Sequence, residues 1–190
     1  MANITLVLPD MKYKDGVIAA AREVLAQPSY TLSEAWYVKL GANATDEEFA
    51  AFVRKKLDEM NGVNIPEGWV PGTTFWIMDE DGYAGRISLR YRPIVFGHIG
   101  YDIRPSRRGR GYAKVALRLV LAEAAKMGIK EAMLTCNENN VASRRNIEGA
   151  MAEYGGHMLE PITIPLGDPN YAGQGQELRF MINTEKEPGK

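Results

Sequence analysis

An arginine- and glycine-rich turn, RPSRRGRGYAK at residues 104–114, lies between an apolar run and an apolar helical pattern. The run IVFGHIGYDI over 94–103 is typical of a strand, and residues 113–127 repeat apolar side chains at helical spacing. EAMLTC at 131–136 predicts a further strand. A strand, a glycine-rich turn, a helix and a strand in this order predict one βαβ crossover, which constrains the sheet more than any other feature of the chain.

The remaining elements are predicted from similar patterns. They are helices over 16–27, 45–61 and 143–155, a hairpin of strands 69–78 and 83–91 around a short acidic turn, and strands near 158–165 and 177–183. Together they predict one α/β domain over 1–190 whose sheet is antiparallel for much of its width. Residues 166–176 are expected to form a loop, and the tail 185–190 to be loose.

The charge and cysteine content exclude several classes of protein. The 190 residues contain 23 Lys+Arg and 24 Asp+Glu, a net charge of −1, which argues against nucleic-acid or membrane binding. A single cysteine excludes an intrachain disulfide, and no metal site is expected. The N-terminal apolar run is broken by Pro9 and Asp10 and has no basic leader, so it does not resemble a signal peptide. A cytoplasmic location is the expectation.

The turn itself has the features of an anion site. Backbone N–H groups at a helix start, together with the helix dipole, bind anions, and Gly109 and Gly111 let a ligand approach the main chain closely. Basic side chains can add contacts to phosphates: Arg104, Arg107, Arg108, Arg110 and Lys114. The alternative is a solvated loop whose arginines only raise solubility. The sequence lacks the Gly-Lys-Ser/Thr end of a P-loop and the third glycine of a dinucleotide fingerprint.

The run Arg108 to Ala113 resembles the Arg/Gln-x-x-Gly-x-Gly/Ala signature of the GNAT-type N-acetyltransferase superfamily, which binds the pyrophosphate of acetyl-CoA. Residues 137–143 are similar to the Asn-x-x-Ser/Ala segment that follows in that family. The resemblance covers roughly 73–156 and is greatest to a little-characterised subgroup of bacterial predicted acetyltransferases. It implies a mixed, largely antiparallel sheet of about six or seven strands flanked by about four helices.

The resemblance also implies roles for particular residues. The main chain of Tyr101, Asp102 and Ile103 would pair with the pantetheine arm of acetyl-CoA, and Asn140 would lie beside it or serve as a plain helix N-cap. The N–H groups of the turn would hold the pyrophosphate and its arginines the 3′-phosphate. The residues expected to bind the co-substrate are therefore Tyr101, Ile103, Arg104, Arg108, Gly109, Arg110, Gly111, Tyr112, Ala113, Lys114 and Asn140.

The catalytic candidates are His98 and Asp102. Acetyl transfer to an amine needs a base for the ammonium proton, and the pKa of histidine suits that role. The alternatives are that His98 is hydrogen-bonded within the sheet and that Asp102 fixes a loop or binds the amine. Many relatives carry a tyrosine that protonates the thiolate, at a position that corresponds to Ile147 here. Cys136 is expected to be a buried strand residue and not a nucleophile.

The sequence therefore predicts an acetyl-CoA-dependent N-acetyltransferase that acts on a primary amine of a small molecule or peptide. Because the tyrosine is missing, a catalytically silent acyl-CoA-binding module on the same fold is the alternative. A nucleic-acid binder fits the net charge poorly. The sequence leaves the acceptor and the acyl preference open, and a homodimer is the default oligomeric expectation.

Overall fold

The computed structural model describes residues 3–30, 34–65, 67–166 and 175–186. These residues form seven strands and five α-helices. The elements, in chain order, are β1 Thr5–Val7, α1 Lys14–Leu25, α2 Ala35–Leu40, α3 Asp46–Met60, β2 Gly72–Asp79, β3 Gly82–Ile94, β4 Gly97–Ile103, α4 Tyr112–Lys126, β5 Glu131–Asn137, α5 Val141–Tyr154, β6 Gly156–Ile162 and β7 Glu177–Asn183. Short 3-10 turns cover Met11–Tyr13 and Pro105–Arg107.

The strands form one sheet in the order β1-β2-β3-β4-β5-β7-β6. Every neighbouring pair is antiparallel except β4 and β5, which are parallel and joined by α4. The predicted fold class and the single βαβ crossover are thus confirmed. The sequence patterns did not indicate β1, which has three residues, or α2, which has six. Because of α2 the structure has five helices where about four were predicted.

Local signals account for the long helices. Thr45 caps α3, since its side chain accepts a hydrogen bond from the Glu48 N–H at 3.2 Å while the Glu48 carboxylate accepts one from the Thr45 N–H at 2.8 Å. The helix ends at Met60, and Asn61 is its C-cap, at the exit that the sequence predicts. Gly128, with φ of +78°, takes the left-handed conformation just beyond the end of α4.

Two apolar clusters pack on opposite faces of the sheet. On one face, α4 and α5 cover strand residues such as Ile87, Leu89, Ile99, Leu134 and Phe180. On the other, α1, α2 and α3 pack on Trp76 and Tyr83, and we call this side the α1–α3 face. Side chains alternate along a strand. The strand residues that do not face α4 and α5 therefore point toward the α1–α3 face.

The seam between β4 and β5 is paired over a short length only. Gly97 and Ile99 both lie opposite Leu134, so β4 bulges at His98. Beyond Ile99, β4 stays paired with β3 and β5 stays paired with β7, but these fully described segments of β4 and β5 have no register with each other. The sheet is therefore open at its centre, directly before the glycine-rich turn.

Two sequence predictions fall partly outside the described residues. The loop predicted over 166–176 is described only at residues 166, 175 and 176, and the tail over 185–190 only at 185 and 186. The strand predicted near 158–165 lies at Gly156–Ile162, on the edge of the sheet, where Pro161 needs no ladder partner. A separate feature of the helices concerns membrane spans. Among the described residues, no helix is both long and apolar enough to cross a membrane.

Candidate functional site

The glycine-rich turn joins the open end of β4 to the start of α4. Gly109 and Gly111 have φ values of +75° and +78°, which favour glycine, and a Cβ at either position would meet no atom within 4 Å. Gly111 is the N-cap of α4 and supplies no side-chain acceptor. The N–H groups of the first turn of α4 thus begin at an open surface, and the positive end of the helix dipole lies there.

Three arginines of the turn bind carboxylates of the protein. Arg104 pairs with Glu23, whose other oxygen accepts the Ser106 N–H at 3.0 Å. Burial raises the pKa of the Glu23 carboxyl, but its bonds to Arg104 and Ser106 outweigh burial and lower that pKa. These contacts tie the turn to α1.

The other two arginines act similarly. Arg107 donates to Asp81 at 2.9 Å, and Arg108 forms an ion pair with Glu34 at the start of α2. Arg108 also donates to the Gln27 side chain at 2.8 Å and to the Ile103 carbonyl at 3.1 Å. The guanidinium groups of the turn therefore fix its shape against the neighbouring elements.

The rest of the basic cluster faces outward. The side chains of Arg110 and Lys114 are exposed, and within the described residues neither has an ion-pair partner. The Tyr112 hydroxyl donates to Asp79 at 2.8 Å, so Tyr112 offers a ligand its backbone N–H more readily than its side chain. The small side chain of Ala113 leaves that N–H accessible. An anion at the turn would meet backbone donors and two exposed cations, of which Arg110 also contacts the Tyr112 side chain.

The main chain of β4 presents polar groups to the open seam. The Arg104 N–H donates to the Ala84 carbonyl of β3 at 2.9 Å, and Arg86 and Ser88 lie opposite Asp102 and Gly100. Since backbone groups alternate along a strand, those of Tyr101 and Ile103 point the other way, toward β5. The Ile103 carbonyl already accepts from Arg108.

His98 is committed to the sheet at the bulge. It is buried, and its Nδ1 accepts a hydrogen bond from the Met133 N–H of β5 at 2.9 Å. That bond assigns the ring proton to Nε2 in the neutral form. Burial, with a smaller contribution from Arg90, lowers the pKa of His98. The geometry is that of a histidine hydrogen-bonded within the sheet, the alternative weighed against a catalytic base.

Asp102 is also engaged. Its side chain is buried on the α1–α3 face, where Oδ2 accepts from Arg86 Nε at 2.6 Å and from Trp36 Nε1 at 3.3 Å. Burial raises the pKa of the Asp102 carboxyl, and the nearby Arg86 opposes that effect. The carboxylate holds Arg86 and the ring of Trp36 in place at the centre of the sheet.

A hydroxyl network lies where α5 meets β4. Asn140 caps α5 by accepting the Ser143 N–H at 3.1 Å, as predicted for a plain N-cap. The Tyr101 hydroxyl is 3.0 Å from Ser143 Oγ and accepts from the Asn146 side chain at 3.0 Å. Ile147 is fully buried in the core one turn later. The Tyr101 phenol and the Ser143 hydroxyl thus lie at the helix start that carries the family's tyrosine.

Cys136 lies on β5 next to the open seam. It is buried, and burial, followed by the charge of Glu177, raises the pKa of its thiol to about 11. The thiol is therefore protonated at neutral pH, which fits the predicted structural role.

Two polar residues of the α1–α3 face were not found from the sequence. Glu177, opposite Asn137 at the end of β5, is buried, and its Oε1 has no hydrogen-bond partner among the described residues. Burial raises the pKa of its carboxyl. Arg90 lies over Gly100 of β4. Neither residue sits in a sequence motif, because the pairings that bring them to the seam are long-range.

The chain has the architecture of an acyltransferase: a sheet opened between two parallel strands, followed by a helix start that can bind a phosphate. A model of the acetyltransferase (GNAT) domain family matches residues 6–150, so the chain belongs to this family. No curated protein matches the chain in sequence. In the described residues, no group of three His, Cys, Asp or Glu side chains could hold a metal ion.

Several solved acetyltransferases share the fold. The ribosomal alpha-N-protein acetyltransferase RimL, in complex with coenzyme A, is 16% identical with a TM-score of 0.71, over 98% of this chain and 97% of that one. The self-immunity acetyltransferase MccE, in complex with acetyl-CoA and AMP, is 16% identical with a TM-score of 0.66, over 95% and 92%. A GNAT-family acetyltransferase from Bacillus anthracis is 18% identical with a TM-score of 0.62, over 97% of each chain.

Proposed function

We propose that this protein transfers an acetyl group from acetyl-CoA to a primary amine. The observation that carries the proposal is the open β4–β5 seam, which leads directly into the glycine-rich start of α4. Family membership supports the same chemistry. Acetyl-CoA would supply an acetyl group activated as a thioester, and the protein would bind it, orient the amine and move protons.

The turn fits the phosphates of coenzyme A. The pyrophosphate would accept hydrogen bonds from the N–H groups of residues 109–114, because positive φ at Gly109 and Gly111 leaves the main chain uncovered. Arg110 and Lys114 are the exposed cations of the turn that have no ion-pair partner among the described residues. Arg104 and Arg108 would act chiefly by holding the turn, since a phosphate would compete with Glu23 and Glu34 for them.

The seam fits an extended polar chain. The pantetheine arm carries amides, which would pair with the outward backbone groups of Tyr101 and Ile103 as a strand would. Asn140, the N-cap of α5, lies at the far side of the seam. The hydroxyls of Tyr101 and Ser143 would donate a proton or a hydrogen bond to the departing sulfur. They would thereby take over the role of the family's tyrosine, whose position is occupied by Ile147 here.

The proton on the amine needs a base. Glu177 suits this role because it is buried on the α1–α3 face, one of its oxygens is unpartnered there, and burial raises the pKa of its carboxyl toward the working range of a general base. His98 is less suited as a base, since its Nδ1 already accepts a hydrogen bond. Asp102 has a raised pKa and, among the described residues, an unpartnered Oδ1, but its ion pair with Arg86 stabilises the carboxylate and makes it a weaker base than Glu177, which has no such cation. His98 and Asp102 would act by setting the shape of the bulge and the position of Arg86.

A thiol-release assay with acetyl-CoA over a panel of primary amines and short peptides tests the function. We expect release of free coenzyme A that depends on both acetyl-CoA and an amine. If calorimetry detects binding of acetyl-CoA but no amine causes thiol release, the result would support the silent binding module instead. That alternative arises because Ile147 occupies the position of the family's tyrosine. The absence of both binding and release would contradict both functions.

A further inference from the structure

Arg90 is a cation of the α1–α3 face that has no anionic partner in the part of the chain that the structure describes. Its Nη1 donates to the Gly97 carbonyl at 3.3 Å, and its Cζ lies 5.9 Å from the centre of the Trp69 ring. Within the described residues no carboxylate lies in ion-pair distance of Arg90. Burial, followed by the charge of Arg86, lowers its pKa to about 10, so the guanidinium remains charged at neutral pH.

Two other inward-facing cations of this face, Arg86 and Lys56, are neutralised. Arg86 pairs with Asp102 at 2.6 Å, and Lys56 of α3 pairs with Glu59 at 2.7 Å. Arg90, in contrast, is a positive charge that has no counter-ion among the described residues. A half-buried charge is costly to maintain without a counter-ion, which indicates that an anion completes the site when the protein works.

The position of Arg90 ties that anion to the acetyl-transfer site. Its two Nη atoms lie 3.6 and 3.7 Å from the place of a Cβ at Gly100, and Ser88 Oγ lies 3.6 Å from the same place. Gly100 directly follows Ile99, where the pairing of β4 with β5 ends. Because Gly100 has no side chain, the guanidinium lies directly over the β4 main chain at the start of the open seam, beside the Ser88 hydroxyl, which donates to the Gly100 carbonyl at 3.2 Å.

The chemistry of the group selects a carboxylate. A planar guanidinium offers two parallel donors that match a carboxylate, and one excess positive charge matches one negative charge. A phosphate dianion would leave a negative charge uncompensated among these residues. Trp69 would cover one side of the ion pair, because its ring already lies beside the guanidinium.

We propose that the acceptor is an amine with a carboxylate a few bonds away, as in an α-amino acid, and that Arg90 binds this carboxylate. This inference rests on the proposed acetyl transfer. The acceptor's amine would lie at the opening after Ile99 and its carboxylate over Gly100. An α-amino acid fits these two places, because adjacent residues of β4 are separated by about one amino-acid length.

The test compares L-amino acids with their primary amides as acceptors in the thiol-release assay, using the wild type, Arg90→Met and Arg92→Met. Arg92 is an exposed residue of the same strand and serves as the control. We expect Arg90→Met to lower kcat/KM for the acids by about 10- to 100-fold and to leave the amides unchanged. Arg92→Met should preserve the preference for acids, and all three proteins should bind acetyl-CoA equally and melt cooperatively.

The outcomes separate the two proposals. Equal loss for acids and amides in Arg90→Met, or no loss for either, would overturn the carboxylate site and leave acetyl transfer intact. If acetyl-CoA binds but no amino acid reacts, calorimetry of N-acetylamino acids and their amides on the coenzyme A-loaded protein decides, and the absence of a preference for the acids overturns the inference. A protein that neither binds acetyl-CoA nor releases thiol contradicts the proposed function itself.

Discussion

The Nδ1 atom of His98 accepts a hydrogen bond from the Met133 N–H at 2.9 Å, across the seam at which the sheet opens. A side chain thereby takes the place of a backbone acceptor at the bulge of β4. His98 thus connects β4 and β5 one residue before Ile99, where their pairing ends. This bond has a consequence for stability that distinguishes a structural histidine from a catalytic one.

Protonation of His98 should destabilise the fold. Its pKa is lowered in the folded state, so the unfolded chain binds the proton more readily, and stability must fall as pH drops through 6.5 toward the folded pKa. His98→Gln keeps an acceptor for Met133 and cannot titrate. We expect the loss of unfolding free energy between pH 8 and pH 5, from urea denaturation, to be smaller in His98→Gln than in the wild type. Identical losses in both proteins would contradict this role.

The buried pair Arg86–Asp102 should be more important for stability than any exposed pair. Asp102→Asn leaves Arg86 with a weaker partner, and we expect a loss of about 2–4 kcal/mol in unfolding free energy. Glu123→Gln, which breaks an exposed pair with Lys126, should cost about 1 kcal/mol or less. The double variant Arg86→Met, Asp102→Leu should lose less than the sum of the single changes. Equal effects of Asp102→Asn and Glu123→Gln would refute the account of this pair.

Cys136 should be unreactive in the folded protein. Burial raises the pKa of its thiol to about 11, so only a minute fraction is thiolate at pH 8, and the sulfur is covered. A colorimetric disulfide reagent should label one thiol rapidly in denaturant and slowly in its absence, and Cys136→Val should keep wild-type thiol release. Rapid labelling of the native protein, or loss of activity in Cys136→Val, would argue for a chemical role.

Ionisation of Glu177 should determine the acidic limb of the pH–rate profile. A base must be deprotonated to act, so kcat/KM should fall as pH drops through the raised pKa of Glu177. We expect Glu177→Gln to lower kcat by roughly 10²- to 10⁴-fold and to abolish that limb, with acetyl-CoA affinity unchanged. Glu160→Gln, on the exposed edge strand β6, is the control. A Glu177→Gln enzyme with wild-type rate would remove Glu177 from the mechanism.

The sequence predicted the parts of this structure that depend on local signals. Apolar periodicity, a capping box and two glycines were enough for the long helices, the hairpin and the crossover with its turn. The partners of the turn's arginines were out of reach, because Glu23, Glu34 and Asp81 lie 26 to 81 residues away along the chain. The same holds for His98, whose partner is 35 residues distant.

Burial explains the remaining differences. Whether a charged residue is exposed or buried depends on the sheet register, and no local pattern marks Arg90 as half-buried or Glu177 as buried. The sequence did draw attention to Ile147 as the residue that replaces the family's tyrosine. It could not show that the Tyr101 hydroxyl reaches Ser143 from β4, because that contact joins residues 42 positions apart.

A calorimetric titration of acetyl-CoA into the wild type, Gly111→Ala and Gly128→Ala tests the central claim most directly. Both glycines have φ of +78° and open space around a new Cβ, so alanine adds similar backbone strain at each. Only Gly111 lies where the phosphates are proposed to bind. We predict submillimolar binding to the wild type and to Gly128→Ala, with affinity at least about 10-fold weaker for Gly111→Ala. Absent binding to the wild type, or equal affinity in all three proteins, would contradict the claim that the turn holds acetyl-CoA.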